Sequence, residues 1–231
     1  MGFTAEKTEH GFWSIESDGV RAFLFEGEEK ALLVDTTRST GLGAFCKTLT
    51  AKPIFVVTTH ADIDHIASDS EFSERYMHPS EFDHCKVKGS FLPDTRPIWE
   101  GNIIDIGTYK FEIVLIPGHT PGSIMLVERE KRFALGGDSI QTGPIFMFGP
   151  GRNFHSFIAS MTKILPIVKD LDAIYSSHHE LMVPPSMVPE LIDGAKGYLA
   201  GKAEYFESPD RLDKEVKECV IGKCHFYALK A

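Results

Sequence analysis

The sequence predicts an α/β fold formed by a single domain over residues 1–231. Short apolar runs bounded by turn residues alternate with segments whose apolar residues recur at helical spacing. Some runs are apolar on both faces, as strands inside a covered sheet are. The composition is 42% hydrophobic and 25% charged, which suits a domain that buries a substantial core. No segment has the composition of a linker, so we expect one domain.

The first part of the chain predicts a hairpin, a short helix and a buried strand. Residues 20–25 and 31–34 are apolar runs on either side of the turn signal at Glu26-Gly27, which favours a hairpin. A short helix is expected near residues 44–49. The run at 54–57 is apolar throughout and too short for a helix, which indicates a central strand that ends at His60.

The rest of the chain continues the alternation of strands and helices. We expect a helix over 64–75, and the polar stretch over 85–97 predicts a loop that could act as a lid. Apolar runs predict strands over 103–107, 110–116, 123–128, 132–135 and 173–175 and a closing strand over 219–229. Helical spacing runs from Phe157 to Val168, although Pro166 should kink or end that helix. A longer amphipathic helix is expected over 188–206.

The charge balance excludes several classes of partner. There are 24 Lys and Arg against 33 Asp and Glu, a net charge of −9, so we expect no nucleic-acid partner.

No apolar stretch is long enough to span a bilayer, and the first residues lack the apolar centre of a signal peptide. We therefore expect a cytoplasmic protein with no membrane partner. The four cysteines form no CxxC pair and are interpreted as reduced thiols.

The segment from His60 to His65 concentrates potential metal ligands directly after the buried strand. In an extended segment residues i and i+2 point the same way, so His60 and Asp62 can face one ion. Asp64 and His65 lie where the chain turns into the following helix, and adjacent residues there diverge, which suits a second ion. In two-metal hydrolytic sites the ions are roughly 3.5 to 4 Å apart.

Further donors follow later strands. His119 lies in a turn rich in proline and glycine that could hold an imidazole in place. Asp138 follows two glycines, whose backbone freedom suits a carboxylate that must approach two cations. His178 or His179 completes the set.

These motifs together resemble the metallo-β-lactamase superfamily. Its first motif, His-x-His-x-Asp-His, is matched by His60 to His65 with Asp62 in place of the second histidine. Its glycine-histidine turn is matched at His119, its bridging aspartate at Asp138 and its last histidine at His178. The family's last histidine usually follows a small residue, which favours His178 over His179. The resemblance implies the four-layer αββα sandwich of that family.

The resemblance also implies how the donors divide between two divalent ions. His60, Asp62 and His119 would hold one ion, Asp64, His65 and His178 would hold the other, and Asp138 would bridge them. Zinc is the preferred ion because it accepts both histidine and aspartate. The oxygen donor at Asp62 keeps iron or manganese open, and it could leave one site weak or empty.

The hypothesis from sequence is a metal-dependent hydrolase that acts on a small ester, thioester or lactone. A metal-bound hydroxide would attack the substrate, and Asp64 would orient it and carry a proton to the leaving group. Phe146, Met147 and Phe148 follow Asp138 and could wall a substrate pocket. Asp35, at the end of a neighbouring strand, is a candidate partner for a metal-ligating histidine.

Several alternatives stay open. Only about fifty residues follow His178, which disfavours a glutathione substrate of the glyoxalase II type. A non-haem iron redox enzyme related to the flavodiiron or persulfide dioxygenase branches is one alternative to hydrolysis. A metal-poor binding module is the other. The partner expected in each enzymatic case is a small-molecule substrate, and a homodimer stays open.

Overall fold

The structure, a computed structural model, describes residues 2–87, 89–210 and 212–230. The chain forms two compact units. The N-terminal unit comprises Met1–Val114 and Ile124–Lys131, and the C-terminal unit comprises Leu115–Ser123 and Arg132–Ala231. The organisation as a single domain remains a prediction.

The N-terminal unit is built on a sheet whose strands follow one another in chain order, from β1 to β7. The strands of this sheet are β1 (Thr4–Lys7), β2 (Trp13–Ser17), β3 (Val20–Glu26), β4 (Ala31–Val34), β5 (Ile54–Thr58), β6 (Arg75–Met77) and β7 (Arg96–Pro97). Three further strands follow along the chain outside this sheet: β8 (Ile103–Asp105), β9 (Lys110–Leu115) and β10 (Ile124–Glu128). Pairing is antiparallel from β1 to β4 and parallel from β4 to β7. The predicted hairpin and central strand are confirmed, and β4 and β5 are buried along almost their whole length.

Short helices connect the parallel strands of this unit. They are α1 (Leu42–Leu49), α2 (Ile63–Ile66) and α3 (Phe82–Val87), with 3₁₀ turns at Asp69–Glu71 and Pro79–Glu81. The helix predicted over 64–75 is wrong beyond its first turn. The buried Asp69 side chain accepts hydrogen bonds from Thr36 and Thr58 at the strand ends, and the chain from Arg75 pairs with β5 as β6. Tertiary pairing therefore overrides the local helical pattern.

The C-terminal unit contains two groups of strands and two helices. Its elements are β11 (Phe133–Gly137), β12 (Ile145–Phe146), α4 (Phe154–Val168), β13 (Ala173–Ser176), β14 (Met182–Val183), α5 (Met187–Leu199), β15 (Glu204–Glu207), β16 (Val216–Ile221) and β17 (Cys224–Leu229). Strands β14, β13 and β11 are neighbours in that order, and β12, β17, β16 and β15 form a four-stranded sheet. Helices α4 and α5 pack together, with Phe154 stacked on Tyr198 at 4.1 Å between ring centroids.

Three predictions are corrected in this unit. Helix α4 continues for two residues past Pro166, because a proline this close to the last turn removes one hydrogen bond without ending the helix. The helix predicted over 188–206 ends at Leu199, since Gly201 has a left-handed φ of 68° and Glu204–Glu207 pairs with β16. The closing strand is a hairpin, β16 and β17, which turns at Gly222.

Two further sequence predictions concern loops and membranes. The predicted 85–97 loop contains the end of α3 and the short strand β7. Among the described residues, no helix combines the length and the apolar character that crossing a bilayer requires. All four cysteines are buried and unbridged, as expected of reduced thiols.

Candidate metal centre

Four predicted ligands of the N-terminal unit lie beyond the end of β5. We call His60, Asp62, Asp64 and His65 the N-terminal donor set. His60 and His65 are buried, with ring centroids 4.1 Å apart. Asp62 and Asp64 keep about one sixth of their side chains exposed, at 16% and 15%. Because β4 and β5 are parallel neighbours, their carboxyl ends share one edge of the sheet, the edge at which α/β proteins bind ligands.

The residue between the first two donors anchors the segment. Ala61 is fully buried and packs with Ile66, Met77 and Cys85, on the side opposite to the one that His60 and Asp62 share. Its backbone N–H donates to the carboxylate of buried Glu81 over 2.8 Å. The donors are therefore held on a fixed piece of backbone.

Asp35, which follows β4, determines the orientation of both buried imidazoles. Its Oδ2 lies 2.9 Å from His65 Nδ1 and accepts from the Thr59 hydroxyl over 2.7 Å, while its Oδ1 accepts from Thr59 N–H over 2.6 Å. Thr59 Oγ1 also lies 3.0 Å from His60 Nδ1. An ionised carboxylate only accepts, so the hydroxyl proton points to Asp35, and His60 Nδ1–H must donate to the hydroxyl. Both histidines then carry their lone pair on Nε2. The predicted role of Asp35 as a partner of a donor histidine is confirmed.

The backbone of Asp35 explains how one carboxylate reaches these groups. Its φ of 61° lies in the left-handed region, which costs a non-glycine residue free energy and persists where the surroundings fix it. Its own N–H donates to Val57 O over 3.0 Å. Asp35 is fully buried, so the three donors to its side chain offset the cost of removing it from water.

Three predicted ligands belong to the C-terminal unit, and we call His119, Asp138 and His178 the C-terminal donor set. Asp138 follows β11, and His178 lies two residues beyond β13. Since β11 and β13 are parallel, with Gly137 opposite Ser176, the two side chains meet. Asp138 Oδ2 lies 3.4 Å from His178 Nε2 and 3.8 Å from His119 Nε2. Asp138 and His119 are both buried.

The imidazole of His119 is oriented by backbone. Its Nδ1 lies 2.9 Å from the carbonyl oxygen of Phe146. A carbonyl only accepts, so Nδ1–H donates and Nε2 again carries the lone pair. Gly118 precedes it with a φ of 148° and lies against the backbone of Phe157, where a Cβ would approach within 2.5 Å of Phe157 Cα. Only glycine fits that turn without displacement.

The nitrogen-to-oxygen distances in both donor sets suit metal coordination. In the N-terminal donor set, His60 Nε2 lies 3.7 Å from Asp62 Oδ2 and His65 Nε2 lies 4.0 Å from Asp64 Oδ1. These two separations and the 3.8 Å between Asp138 and His119 exceed a hydrogen bond, and the 3.4 Å between Asp138 and His178 is near its upper limit. Two ligands bound tetrahedrally to zinc at 2.0–2.2 Å lie about 3.3 Å apart, which is close to the observed spacing. Imidazoles whose Nε2 atoms lie beside carboxylate oxygens are therefore a suitable donor set for divalent ions.

The choice between the two adjacent histidines is also decided within the C-terminal unit. His178 has one fifth of its side chain exposed and its Nε2 near Asp138. His179 is exposed, has a left-handed φ of 54° and packs against Gly143. The geometry therefore supports His178, as the sequence predicted.

The segment from Phe146 to Phe148, which was predicted to wall a pocket, belongs in part to the four-stranded sheet. Phe146 belongs to β12, which pairs with β17, and its ring lies 5.0 Å from that of Tyr227 and 5.6 Å from that of Phe148. Met147 is buried. The segment supports His119 through the Phe146 carbonyl, and its role in a substrate pocket remains a prediction.

Sequence reasoning missed one histidine. His84 belongs to none of the sequence motifs described above, yet its Nε2 lies 3.2 Å from Asp62 Oδ1. It lies 22 residues from Asp62, on α3, and no spacing motif links the two. Only the folded chain reveals the contact.

Comparison with known proteins identifies one family. A sequence profile described as the metallo-beta-lactamase superfamily matches residues 17–179. The hydroxyacylglutathione hydrolase GloC of Haemophilus influenzae is 39% identical over 136 residues, which cover 50% of this chain and 64% of that relative. The acyl-coenzyme A thioesterase MBLAC2 of Gallus gallus is 24% identical over 200 residues, which cover 68% of this chain and 72% of that relative. This chain therefore spans less than two thirds of the first relative.

Solved structures agree on the fold. A metallo-beta-lactamase from Pontibacter korlensis matches with a TM-score of 0.72 at 14% identity, covering 84% of this chain and 99% of that one. At that identity the likeness concerns the fold alone, and it confirms the predicted α/β fold of the metallo-β-lactamase type.

Proposed function

Because the chain belongs to the metallo-beta-lactamase superfamily, we propose that it is a metal-dependent hydrolase. By the family resemblance, the residues of the N-terminal and C-terminal donor sets would be the ligands of two divalent ions. One observation carries the proposal: His60, His65 and His119 each have Nδ1 engaged by a protein partner, and each has Nε2 beside an aspartate carboxylate. The profile match covers all seven donors, in the order that the family resemblance requires.

The seven donors divide as the resemblance implies. His60, Asp62 and His119 would hold one ion, Asp64, His65 and His178 would hold the other, and Asp138 would lie between them. Zinc is the ion we propose, because four imidazoles and three carboxylates offer the nitrogen and oxygen ligands that it accepts. When bound, such ions polarise a substrate carbonyl and lower the pKa of water to about 7.

The protein's own groups orient the reactants. Asp64 is partly exposed, and its Oδ2 accepts from Arg38 Nη2 over 3.4 Å. From this position Asp64 orients the attacking water and carries a proton to the leaving group. Asp35 keeps His60 and His65 in the tautomer that coordinates, and the Phe146 carbonyl does the same for His119.

A thioester is the substrate class that we propose. Both relatives described above are named for thioester hydrolysis, one of a glutathione ester and one of an acyl-coenzyme A. Because the first relative is named as a hydroxyacylglutathione hydrolase, glutathione thioesters, which the sequence analysis disfavoured, are candidates again. The half-exposed Arg38 beside Asp64 suits a substrate with a negatively charged tail, as both of those carriers have.

Metal analysis and a substrate panel test this proposal. Protein purified without added metal should contain close to two equivalents of a divalent ion. It should hydrolyse S-lactoylglutathione or an acyl-coenzyme A faster than a lactone or a phosphodiester. A strong chelator should abolish the activity, and zinc should restore it. Metal-loaded protein that cleaves no thioester, or activity that survives complete removal of metal, would contradict the proposal. Arg38→Ala should raise KM with little change in kcat.

A further inference from the structure

His84 contacts a donor from a helix that lies outside every motif described above. Its Nε2 lies 3.2 Å from Asp62 Oδ1, and both side chains are only 16% exposed. The carboxylate only accepts, so a hydrogen bond between these atoms requires His84 Nε2–H as the donor. The other carboxylate oxygen, Oδ2, is the one that lies 3.7 Å from His60 Nε2. One oxygen of the Asp62 carboxylate therefore faces His84, and the other faces His60.

The position of His84 is fixed by the packing of α3. Cys85, the next residue, is buried in one cluster with Ala61, Ile66 and Met77, and its Sγ lies 3.7 Å from Met77 Sδ. The preceding turn is held as well, because Glu81 accepts from Ala61 N–H. Helix α3 is therefore attached to the donor segment on both sides of His84, and its contact with Asp62 belongs to the packed structure.

The substitution at position 62 explains why such a contact is needed. An imidazole ligand has one lone pair, and its orientation is fixed when its second nitrogen donates to the protein. A carboxylate has two oxygens that can exchange roles by rotation, and it brings a negative charge close to Asp64. A donor on one oxygen removes that freedom and stabilises the charge by a charge-assisted hydrogen bond.

We infer that His84 is a positioning residue, which holds the Asp62 carboxylate so that Oδ2, the oxygen nearer to His60 Nε2, is oriented for a metal ion. The inference rests on the proposed metal centre and deepens it. His84 compensates for the aspartate that stands where the family motif has its second histidine. Loss of the N–H donor should weaken one of the two metal sites and leave the other unchanged.

Titration of metal-free protein with Co²⁺, followed by visible absorption, tests this inference without any activity assay. Wild type should bind two equivalents. In His84→Leu one equivalent should bind about 10- to 100-fold more weakly, which is the usual loss for a partner of a metal ligand, with a changed d–d spectrum for that ion. His84→Gln keeps an N–H donor at a similar distance and should recover most of the affinity.

The matched control is Asp83→Asn on the same helix, whose side chain is 93% exposed and pairs with Lys86. It should titrate as wild type does. Metal-free Tm values should agree between His84→Leu and His84→Gln, so that a folding defect is separated from a binding defect. Two equivalents bound with wild-type affinity in His84→Leu, or equal losses of affinity in the Leu and Gln variants, would overturn the inference while the hydrolase proposal stands. A wild type that binds no Co²⁺ would instead refute the metal centre, and the inference with it.

Discussion

The two donor sets are built in different ways. The N-terminal donor set comes from one six-residue segment, and its imidazoles are oriented by side chains, Asp35 and Thr59. The C-terminal donor set comes from three separate segments, and His119 is oriented by the backbone carbonyl of Phe146. A contiguous segment needs outside partners to fix its side chains, whereas dispersed donors depend on the turns and strand ends that carry them. Substitution of a supporting side chain should therefore weaken the N-terminal donor set. Substitution of a glycine that shapes a turn should weaken the C-terminal donor set.

The largest effect is expected at Asp138, the residue to which both donor histidines of the C-terminal unit come close. Asp138→Ala leaves His119 and His178 without the carboxylate near their Nε2 atoms, and it removes the proposed bridge. We expect loss of bound metal and of thioesterase activity, measured by metal analysis and by turnover. Full metal content and full activity in this variant would remove Asp138 from the centre.

The next effect tests the dependence of the C-terminal donor set on backbone. Gly118→Ala places a Cβ within 2.5 Å of Phe157 Cα at a φ of 148°. The free energy of unfolding should fall by more than the roughly 1–3 kcal/mol that unusual backbone conformations cost, because a steric clash adds to the strain. Gly149→Ala is the matched control, since Gly149 has a φ of 86° but open space around it. Denaturant unfolding gives the free energy of unfolding of both variants. Gly149→Ala reports backbone strain alone, whereas Gly118→Ala reports strain and the steric clash together. Equal losses of stability would show that the close contact with Phe157 does not matter.

A smaller effect tests the side-chain network of the N-terminal donor set. Asp35→Asn replaces one of two acceptor oxygens by an N–H donor. The three donors to Asp35, which are the Thr59 N–H, the Thr59 hydroxyl and His65 Nδ1–H, can then no longer all be accepted. Zinc affinity, measured by competition with a chromophoric chelator, should fall about 10- to 100-fold. Thr59→Val interrupts only the path to His60 and should cost less. The account of the network fails if Asp35→Asn binds zinc as wild type does.

The smallest effect is expected at Asp69, whose buried side chain accepts hydrogen bonds from Thr36 and Thr58. Burial raises the pKa of its carboxyl to about 7, and nearby Asp35 adds to the rise, against hydrogen bonds from Thr36 and Thr58 and the charge of Arg75. The folded state then binds more protons than the unfolded state, so stability should fall as pH rises from about 4 to 7. In Asp69→Asn the amide oxygen can still accept from Thr36 and the amide NH2 can donate to the Thr58 hydroxyl, which reverses one of the two hydrogen bonds and removes the ionisable group. This variant should be more stable than wild type at pH 8 and nearly equal at pH 4, as followed by denaturant unfolding.

The candidate donors are visible in the sequence, whereas most of the contacts that support them are not. The segment from His60 to His65 is visible as a cluster, and Asp138 and His178 are visible because they follow apolar runs. The helix predicted over 64–75 is wrong because the pairing of β6 with β5 outweighs local propensity. His84 carries no signal at all, since its contact with Asp62 depends on how α3 packs. Asp35 could be proposed as a partner, but its left-handed backbone and shared hydrogen bonds emerge only in the fold.

Anomalous diffraction at the metal absorption edge, on crystals of the metal-loaded protein, tests the central claim most directly. The account predicts two peaks roughly 3.5–4 Å apart. One peak should be coordinated by His60, Asp62 and His119 and the other by Asp64, His65 and His178, with Asp138 between them. Absence of metal density at these donors, or a single ion held by one donor set alone, would contradict it.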